Sequence, residues 1–372
     1  MRKNSISCVS VVLPVYNGER YLQMSIESVL NQGYSDIELV IVNDCSTDKS
    51  EEIIREYAEK DSRISVISNR NNYGLPYSLN RGFEIATGRY LTWTSDDNLY
   101  HKNAIERMVN HLDLNQHCGM VYANMNLIDE SGNIIGIRTG GDCNIYKNNC
   151  VGACFMYRRT CKDTIGDYDG SKFLIEDYDY WLRIASKYDI ENLPEILYDY
   201  RFHNDSLTVK KMHKVGERLT DLRKEYIKEI ADNVDALTYQ EIAFEMLVCG
   251  GEKIRPIIKE CNLDVSSVIN RNKAITGNSI WLFGAGALGR AALQILSDFE
   301  IRGFIDNDIR KNGKKIQGRP VISLNEFLLQ KDDSTVVICT ELRYAYIIMS
   351  QLNKSGIGDV VLLYDAVDPF NG

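Results

Sequence analysis

The stretch V-S-V-V-L-P-V-Y-N, residues 9–17, begins the pattern that decides the fold. It is an apolar, β-branched run that ends at a proline, and apolar residues at helical spacing follow it over 22–30. Further apolar runs at 37–42, 64–67 and 90–94 alternate with helical segments in the same way. Such alternation is typical of βαβ units, so an α/β domain around a parallel sheet is predicted.

Two more regions follow this domain. Residues 207–274 have mostly helical periodicity, with an apolar stripe that includes Leu222 and Ile230. From Ser279 the alternation of strands and helices begins again, which predicts a second, smaller α/β domain. The predicted boundaries are therefore 1–206, a helical connector over 207–276, and 277–372.

Composition limits the classes of function. The chain has 372 residues and a formal net charge of -9, which disfavours a nucleic-acid partner. No apolar run approaches the roughly 20 residues of a membrane helix, and the first residues are too short an apolar segment for a signal peptide. We therefore expect a cytoplasmic protein, with reduced thiols, since its ten cysteines show neither a C-x-x-C pair nor zinc-site spacing.

The connector carries a mixed basic face. Its lysines and arginines are interleaved with acids, which is usual for a solvated helix surface. Contact with anionic lipid headgroups at the inner face of the membrane is the alternative interpretation. The basic residues are Lys210, Lys211, Lys214, Arg218, Arg223, Lys224 and Lys228.

Polar and acidic residues follow three of the predicted strands. Asn17 comes after the first strand, Asp44 after the second, and Asp96 and Asp97 after the fourth. In open α/β sheets ligands bind beyond the carboxyl ends of the strands. Adjacent carboxylates there repel one another, and a hard divalent cation relieves that cost, so a Mg²⁺ or Mn²⁺ site is predicted. For an isolated S-D-D-N the alternative, a solvated turn, would be favoured.

Five strings together resemble the inverting glycosyltransferases of family 2, which have the GT-A fold. The resemblance covers roughly residues 7–206 and keeps the order of the family's motifs. The strings are V-S-V-V-L-P-V-Y-N (9–17), V-N-D-C-S-T-D (42–48), W-T-S-D-D-N (93–98), I-E-D-Y-D-Y-W-L-R (175–183) and Y-R-F-H-N-D-S (200–206). The resemblance implies transfer of a sugar from a nucleotide-diphosphate donor to an acceptor hydroxyl, with inversion at the anomeric carbon.

The resemblance also implies roles for the donor side of the site. Asp44 would accept a hydrogen bond from the nucleotide base, and Pro14, Val15 and Tyr16 would form part of the wall around it. Asp96 would lie near the ribose and the donor sugar. The metal ligand would be Asp97, and His203 would lie near the metal or the diphosphate.

On the acceptor side, Asp177 is the expected general base, since a positioned carboxylate can take the proton of the attacking hydroxyl. Glu176 would orient Asp177 or the acceptor, and Trp181 would stack on a sugar face. The alternative for both acids is stabilisation of a helix N-terminus, and the two roles are compatible.

Three positions depart from the family pattern. Cys45 stands where the family has glycine and Asn43 where it has aspartate, so a different bend of that loop and a different nucleotide base are open. Leu79 replaces a common arginine, although Asn80 and Gly82 remain, so one donor contact is expected to be missing.

The C-terminal region has a dinucleotide-binding layout. Gly284, Gly286 and Gly289 follow a predicted strand and open a helix, and Asp306 ends the next strand. The segment resembles Rossmann-like accessory domains of sugar-modifying enzymes. The open alternatives for its ligand are a nucleotide, a nucleotide sugar, NAD or no ligand at all.

Three functions are compared. The first is a glycosyltransferase of the hexosyltransferase type, with a UDP-sugar as the expected donor and a saccharide, lipid-linked glycan or protein as acceptor, in surface polysaccharide synthesis. The second is an NAD-dependent nucleotide-sugar oxidoreductase or epimerase built on the C-terminal domain. The third is a catalytically inactive sugar-binding module. The sequence does not predict the oligomeric state.

Overall fold

A computed structural model describes residues 9–141, 144–203, 212–234, 242, 246, 275, 277–330, 333–340, 348–349 and 351–363. The chain divides into two compact units, Met1–Leu222 and Arg223–Gly372. Much of the predicted connector 207–276 lies outside the described residues, so its boundaries stay a prediction.

The first unit is a mixed sheet flanked by helices. Its strands are β1 (Val9–Val15), β2 (Ile37–Asn43), β3 (Ile64–Ser68), β4 (Tyr90–Trp93), β5 (Leu99–Tyr100), β6 (Cys118–Ile128), β7 (Ile134–Arg138), β8 (Phe155–Arg158) and β9 (Asp189–Arg201). Its helices are α1 (Leu22–Leu30), α2 (Ser50–Lys60), α3 (Leu75–Ile85), α4 (Ala104–Leu114), α5 (Arg159–Ile165) and α6 (Glu176–Ala185). A further helix, α7 (Met212–Glu225), spans the division between the units.

The strand order is β3-β2-β1-β4-β8-β6-β9-β5, with β7 paired to β6. Strands β1 to β4 are parallel where they pair, as predicted. Strand β8 is antiparallel to both β4 and β6, so β6 and the parallel β9 run in the direction of β4. The carboxyl ends of β1, β2, β4 and β9 therefore lie at one edge of the sheet.

The helices pack on both faces of a mostly apolar central strand, β1. Val9, Val11 and Leu13 of β1 belong to one core cluster, and Val12 belongs to the other. Helix α3 packs closely on the second face because Gly82 has no side chain. A Cβ there would lie 2.4 Å from Cγ1 of Val12, so glycine is required by space.

The start of α2 is bonded to the loop after β1. The helix begins at Ser50, and its cap residue is Lys49. The Asp48 carboxylate accepts hydrogen bonds from the Ser50 and Glu19 amides, which ties the helix to that loop. The Asp48 carboxylate therefore satisfies an amide of the first turn of α2, although Asp48 lies one residue before the cap.

The second unit has a six-stranded sheet in the order β12-β13-β11-β10-β14-β15. All its pairs are parallel except β12 with β13. The strands are β10 (Ser279–Phe283), β11 (Glu300–Ile305), β12 (Lys315–Ile316), β13 (Arg319–Ile322), β14 (Thr335–Ile338) and β15 (Val360–Leu362). Its helices include α8 (Ile227–Asn233), α9 (Ala287–Ile295) and α10 (Leu324–Gln330). The predicted second α/β sheet is thus present.

The helical stripe is confirmed in part. Leu222 and Ile230 are buried as predicted, but Arg223, expected on the solvated basic face, is buried as well. Lys210 and Lys211 lie outside the described residues. Within the described part of the chain, no helix combines the length and the apolar character needed to cross a bilayer.

Candidate active site

The loops that follow β1 and β2 are tied together at the carboxyl edge of the sheet. The amide of Thr47 donates to Oδ1 of Asn17 at 2.7 Å, and the amide of Asn17 donates to Oγ of Ser46 at 3.1 Å. The amide of Gly18 donates to Oγ of Ser50 at 3.0 Å. These bonds between loops make the rim a single hydrogen-bonded structure.

Asp44 holds the loop that follows β3. Its carboxylate accepts hydrogen bonds from the side chain of Asn69 at 2.7 Å and from the amides of Tyr73 at 3.0 Å and Gly74 at 2.8 Å. The residue is 4% exposed. Contact with a nucleotide base stays a prediction. The observed role is to shape the rim, since both carboxylate oxygens already accept hydrogen bonds.

The three residues predicted to form the wall around the nucleotide base differ in the direction of their side chains. Tyr16 is 49% exposed, whereas Val15 is 1% exposed and belongs to the core cluster beneath β1. Successive side chains of a strand point to opposite faces, which explains the difference. The Val15 side chain therefore packs in the core, and only the backbone of Val15 can form part of the predicted wall around the base. Pro14 is half-buried on the other face and, with Tyr16, keeps that predicted role.

Cys45 has the backbone conformation that glycine, the family's residue at this position, favours. Its φ is 64°, in the left-handed region. Asn43, the other departure in this loop, uses Oδ1 to accept a hydrogen bond from the Ser46 amide at 3.0 Å. The bend of the loop therefore needs a positive φ at this position, and the cysteine adopts it at a conformational cost.

Asp96 lies against the loop after β1. A Cβ built on Gly18 would lie 2.1 Å from Oδ2 of Asp96, so glycine leaves the space that this carboxylate fills. Asp96 also accepts a hydrogen bond from the Tyr16 backbone, and burial together with the neighbouring Asp97 raises the pKa of Asp96. The site thus holds a desolvated carboxyl beside a second one.

Asp97 and His203 form a pair at the same rim. Nε2 of His203 lies 2.9 Å from Oδ2 of Asp97. Among the described residues, the buried atoms Oδ1 of Asp97 and Nδ1 of His203 have no hydrogen-bond partner. A buried carboxylate oxygen is rarely left unsatisfied, and carboxylate oxygen and imidazole nitrogen are both metal ligands. The donor set therefore fits a divalent cation.

Arg201 is a part of the site that sequence reasoning did not assign. It is 3% exposed, and Nε donates to the Asp97 carbonyl at 3.0 Å. Its Nη1 donates to the carbonyls of Asp129 and Glu130. The Arg201 guanidinium also lies over the Tyr21 ring, and the Arg20 guanidinium lies 4.8 Å from the centre of the same ring. Its place in the Y-R-x-H string was the available signal. Arg201 fixes the backbone of the acidic loop.

Glu176 and Asp177 begin α6. Asp177 accepts hydrogen bonds from Nδ2 of Asn149 at 3.2 Å and from the Tyr178 amide at 2.7 Å. Burial raises the pKa of Asp177, and burial together with Asp177 raises the pKa of Glu176 to about 8. Among the described residues, Oε2 of Glu176 has no hydrogen-bond partner. Asp177 is the more exposed of the two acids.

Asp177 lies within electrostatic range of a tyrosine that is bonded to the end of β4. The charge of Asp177 contributes to the raised pKa of Tyr168, whose main cause is burial. The Tyr168 hydroxyl accepts a hydrogen bond from Nε1 of Trp93 at 3.2 Å. Trp93 is the last residue of β4 and precedes Asp96 by three positions. The start of α6 and the end of β4 therefore belong to one neighbourhood.

Trp181 lies inside the apolar core. Its side chain is 0% exposed and packs against Phe155, with ring centroids 4.4 Å apart, and against Tyr157. The expectation that Trp181 stacks on a sugar is wrong, because the ring is enclosed in the apolar core. Leu79 is likewise 0% exposed in that core, and its apolar side chain offers no polar contact in place of the family's arginine.

The glycine loop of the second unit uses its acid internally. Oδ2 of Asp306 accepts hydrogen bonds from the Ala285 amide at 2.8 Å and from Nζ of Lys311 at 2.9 Å. Gly284 has a φ of 109°, and a Cβ on Gly289 would lie 1.8 Å from the Gly284 carbonyl oxygen. Gly286 has open space around it. Nucleotide or NAD binding by these residues stays a prediction.

Comparison with known proteins places the first unit in a family. The model of glycosyl transferase family 2 matches residues 10–176. An uncharacterized glycosyltransferase of Haemophilus influenzae is 30% identical over 238 residues, 59% of this chain and 73% of the relative. An uncharacterized glycosyltransferase of Methanocaldococcus jannaschii is 31% identical over 217 residues, 55% of this chain and 74% of the relative.

Among solved structures, S. aureus TarS 1-349 in complex with UDP-GlcNAc has a TM-score of 0.53 and 17% identity, and the match covers 79% of this chain and 84% of that chain. The likeness supports the expected GT-A fold. Because both relatives align over nearly three quarters of their own length and the family model spans the loops that carry Asp44, Asp96 and Asp97, this chain belongs to glycosyl transferase family 2.

Proposed function

We propose that the protein transfers a sugar from a nucleoside-diphosphate donor to an acceptor hydroxyl, with inversion at the anomeric carbon. The observation that carries this proposal is the pair of buried, unpartnered atoms at the rim, Oδ1 of Asp97 and Nδ1 of His203, in the part of the chain that the structure describes. They lie beside a second carboxyl, Asp96, for which Gly18 leaves space.

Asp97 and His203 are the residues that would hold Mg²⁺ or Mn²⁺. When bound, such an ion supplies positive charge that neutralises the leaving diphosphate. Arg201 keeps the Asp97 backbone in place through its bond to the Asp97 carbonyl. Tyr16, which is exposed at the end of β1, would contact the donor nucleotide.

Asp177 acts as the general base. Its carboxylate takes the proton of the acceptor hydroxyl while the acceptor oxygen forms a bond to the anomeric carbon and the bond from that carbon to the diphosphate oxygen breaks. Attack opposite the leaving group inverts the centre. The raised pKa of Asp177 suits this role, because a more basic carboxylate is a better proton acceptor. Glu176 is the adjacent residue, and its role is to orient Asp177 or the acceptor.

A UDP-sugar is the first donor to test, because TarS, which shares the fold, was solved with UDP-GlcNAc. The acceptor is a hydroxyl of a saccharide, a lipid-linked glycan or a protein. We propose a cytoplasmic setting in surface polysaccharide synthesis. The comparisons support glycosyl transfer, and they give no support to an NAD-dependent reaction.

The test is a screen of nucleotide sugars for Mn²⁺-dependent release of nucleoside diphosphate. Asp177→Asn should lower kcat by about 10²–10⁴-fold with little change in the KM for the donor. The matched control is Asp163→Asn, since Asp163 is an exposed acid on α5, and its rate should equal that of the wild type.

Two outcomes would refute the proposal. A wild-type protein that binds saccharides but releases no nucleoside diphosphate from any donor would be a sugar-binding module. An Asp177→Asn protein with the wild-type kcat would remove Asp177 from the mechanism.

A further inference from the structure

A second group of metal-ligating side chains lies at the opposite edge of the sheet from the candidate active site. We propose that His111, Cys118 and Glu191 bind a transition-metal ion of the zinc class. Their ligand atoms all lie within 4.8 Å of one another. Nothing in the glycosyl-transfer mechanism uses these residues, so the inference stands independently of the proposed function.

The geometry is close to that of a bound site. Nε2 of His111 lies 2.7 Å from Oε2 of Glu191. A tetrahedral ion at about 2.0 Å from nitrogen and oxygen and about 2.3 Å from sulfur needs ligand atoms roughly 3.3–3.5 Å apart. Small side-chain rotations would therefore bring the three atoms to coordination distance. The Cys118 thiol would exchange its present hydrogen bond to the Met120 carbonyl for the metal.

A second histidine converges on the same carboxylate. Nε2 of His117 lies 2.8 Å from Oε1 of Glu191, although the His117 side chain is 63% exposed. Two of the five histidines of the chain thus meet one glutamate beside a buried cysteine. His117 orients Glu191 from its other oxygen, as an outer partner commonly does at metal sites. It is also the residue that can supply a fourth ligand.

The donor set decides the class of ion. Imidazole nitrogen and thiolate sulfur favour zinc and its neighbours over Mg²⁺ and Ca²⁺, which prefer oxygen. Binding releases the thiol proton to solvent and forms a metal–sulfur bond. Arg158 contacts this segment, but its guanidinium donates to backbone carbonyls, among them that of Cys118, and not to the ligand side chains.

The site is far from Asp97 and His203. Cys118 begins β6, and Glu191 lies near the start of β9, whose other end carries Arg201. Ten residues of strand at about 3.3 Å each separate Glu191 from Arg201 by about 30 Å. The ion would therefore join the end of α4 to the starts of two neighbouring strands, which is a structural role.

The experiment is a titration of the full-length, metal-free protein with Co²⁺, followed by competition with Zn²⁺. A cysteine ligand gives a thiolate-to-cobalt charge-transfer absorption, which the Asp97 and His203 site cannot produce. We expect one equivalent of Co²⁺ to give this band and Zn²⁺ to abolish it. Cys118→Ser should remove the band, and His111→Gln and Glu191→Gln should each weaken Zn²⁺ binding at least tenfold.

Two controls make the result specific. His101→Ala removes a similar histidine–carboxylate pair, with Nε2 of His101 2.8 Å from Oδ1 of Asp199, and should keep full binding. Cys154→Ser removes another buried cysteine and should keep the band. If Cys118→Ser does not fold, His111→Gln carries the test. A wild-type protein without the band, or a folded His111→Gln protein with unchanged Zn²⁺ affinity, would overturn the proposal.

Discussion

Replacing Gly18 by alanine tests how closely the loop after β1 fits the acidic rim. The new Cβ would lie 2.1 Å from Oδ2, 2.7 Å from Cγ and 3.0 Å from Cβ of Asp96. Ordinary contact begins at about 3.4 Å, so the Asp96 oxygen must retreat by about 1.3 Å. Asp96 is half-buried and bonded to the Tyr16 backbone, so it can only rotate away from its place.

The magnitude follows from that displacement. A misplacement of about 1 Å in a binding constellation costs about 10²-fold in rate, so kcat/KM for the donor should fall by roughly that factor. Loss of one hydrogen bond and a strained rotamer should lower the free energy of unfolding by only about 1–2 kcal/mol. The protein should therefore fold but turn over its donor poorly.

The assay is steady-state release of nucleoside diphosphate, with urea unfolding measured on the same protein. The matched control is Gly170→Ala, because a Cβ there meets nothing within 4 Å and its φ is not positive. That control should keep the wild-type kcat/KM. A Gly18→Ala protein with wild-type kcat/KM would show that the position of Asp96 does not matter for the donor.

For three further substitutions the structure determines the direction of the expected effect. Cys45→Gly should raise the free energy of unfolding by about 0.5–1 kcal/mol in urea titrations, because the left-handed φ costs a non-glycine residue about 1–2 kcal/mol and glycine returns part of that as chain entropy. Asn149→Ala removes a hydrogen bond that lowers the pKa of Asp177, so the acidic limb of the pH profile of kcat/KM should move to higher pH; an unmoved limb would contradict the general-base assignment. Trp181→Phe should cost about 1–3 kcal/mol in unfolding experiments through lost packing while the KM for the acceptor stays unchanged, and a raised KM with unchanged stability would restore the stacking role.

The order of strands and helices could be predicted from the sequence because it depends on local patterns. The β-branched runs at Val9 and Ile37 predict strands whose observed bounds extend only one or two residues further. The predicted α/β fold is confirmed, since apolar periodicity is a property of neighbouring residues.

The direction of individual side chains could not be predicted as well. Val15 and Trp181 both sit in strings that resemble family motifs, yet both point into apolar clusters. A motif shows which residues recur together, and the packing of two elements decides which of them face a cavity. Arg201 was missed for a different reason. The Y-R-x-H string includes it, but its hydrogen bonds go to backbone carbonyls, which a motif does not reveal.

The group of His111, Cys118 and Glu191 illustrates the same limit at longer range. The cysteine spacings show no zinc motif, because the three side chains come from a helix and two strands. Only the parallel pairing of β6 with β9 brings Glu191 near Cys118.

The central claim is that Asp97 ties a divalent ion to the phosphates of an activated sugar, and calorimetric titration tests it most directly. The nucleoside diphosphate released in the donor screen is titrated into the wild-type and Asp97→Ala proteins, with Mn²⁺ and with EDTA. We predict that both EDTA and Asp97→Ala weaken binding at least tenfold, or about 1.4 kcal/mol. Equal dissociation constants in all four titrations of folded protein would contradict the account.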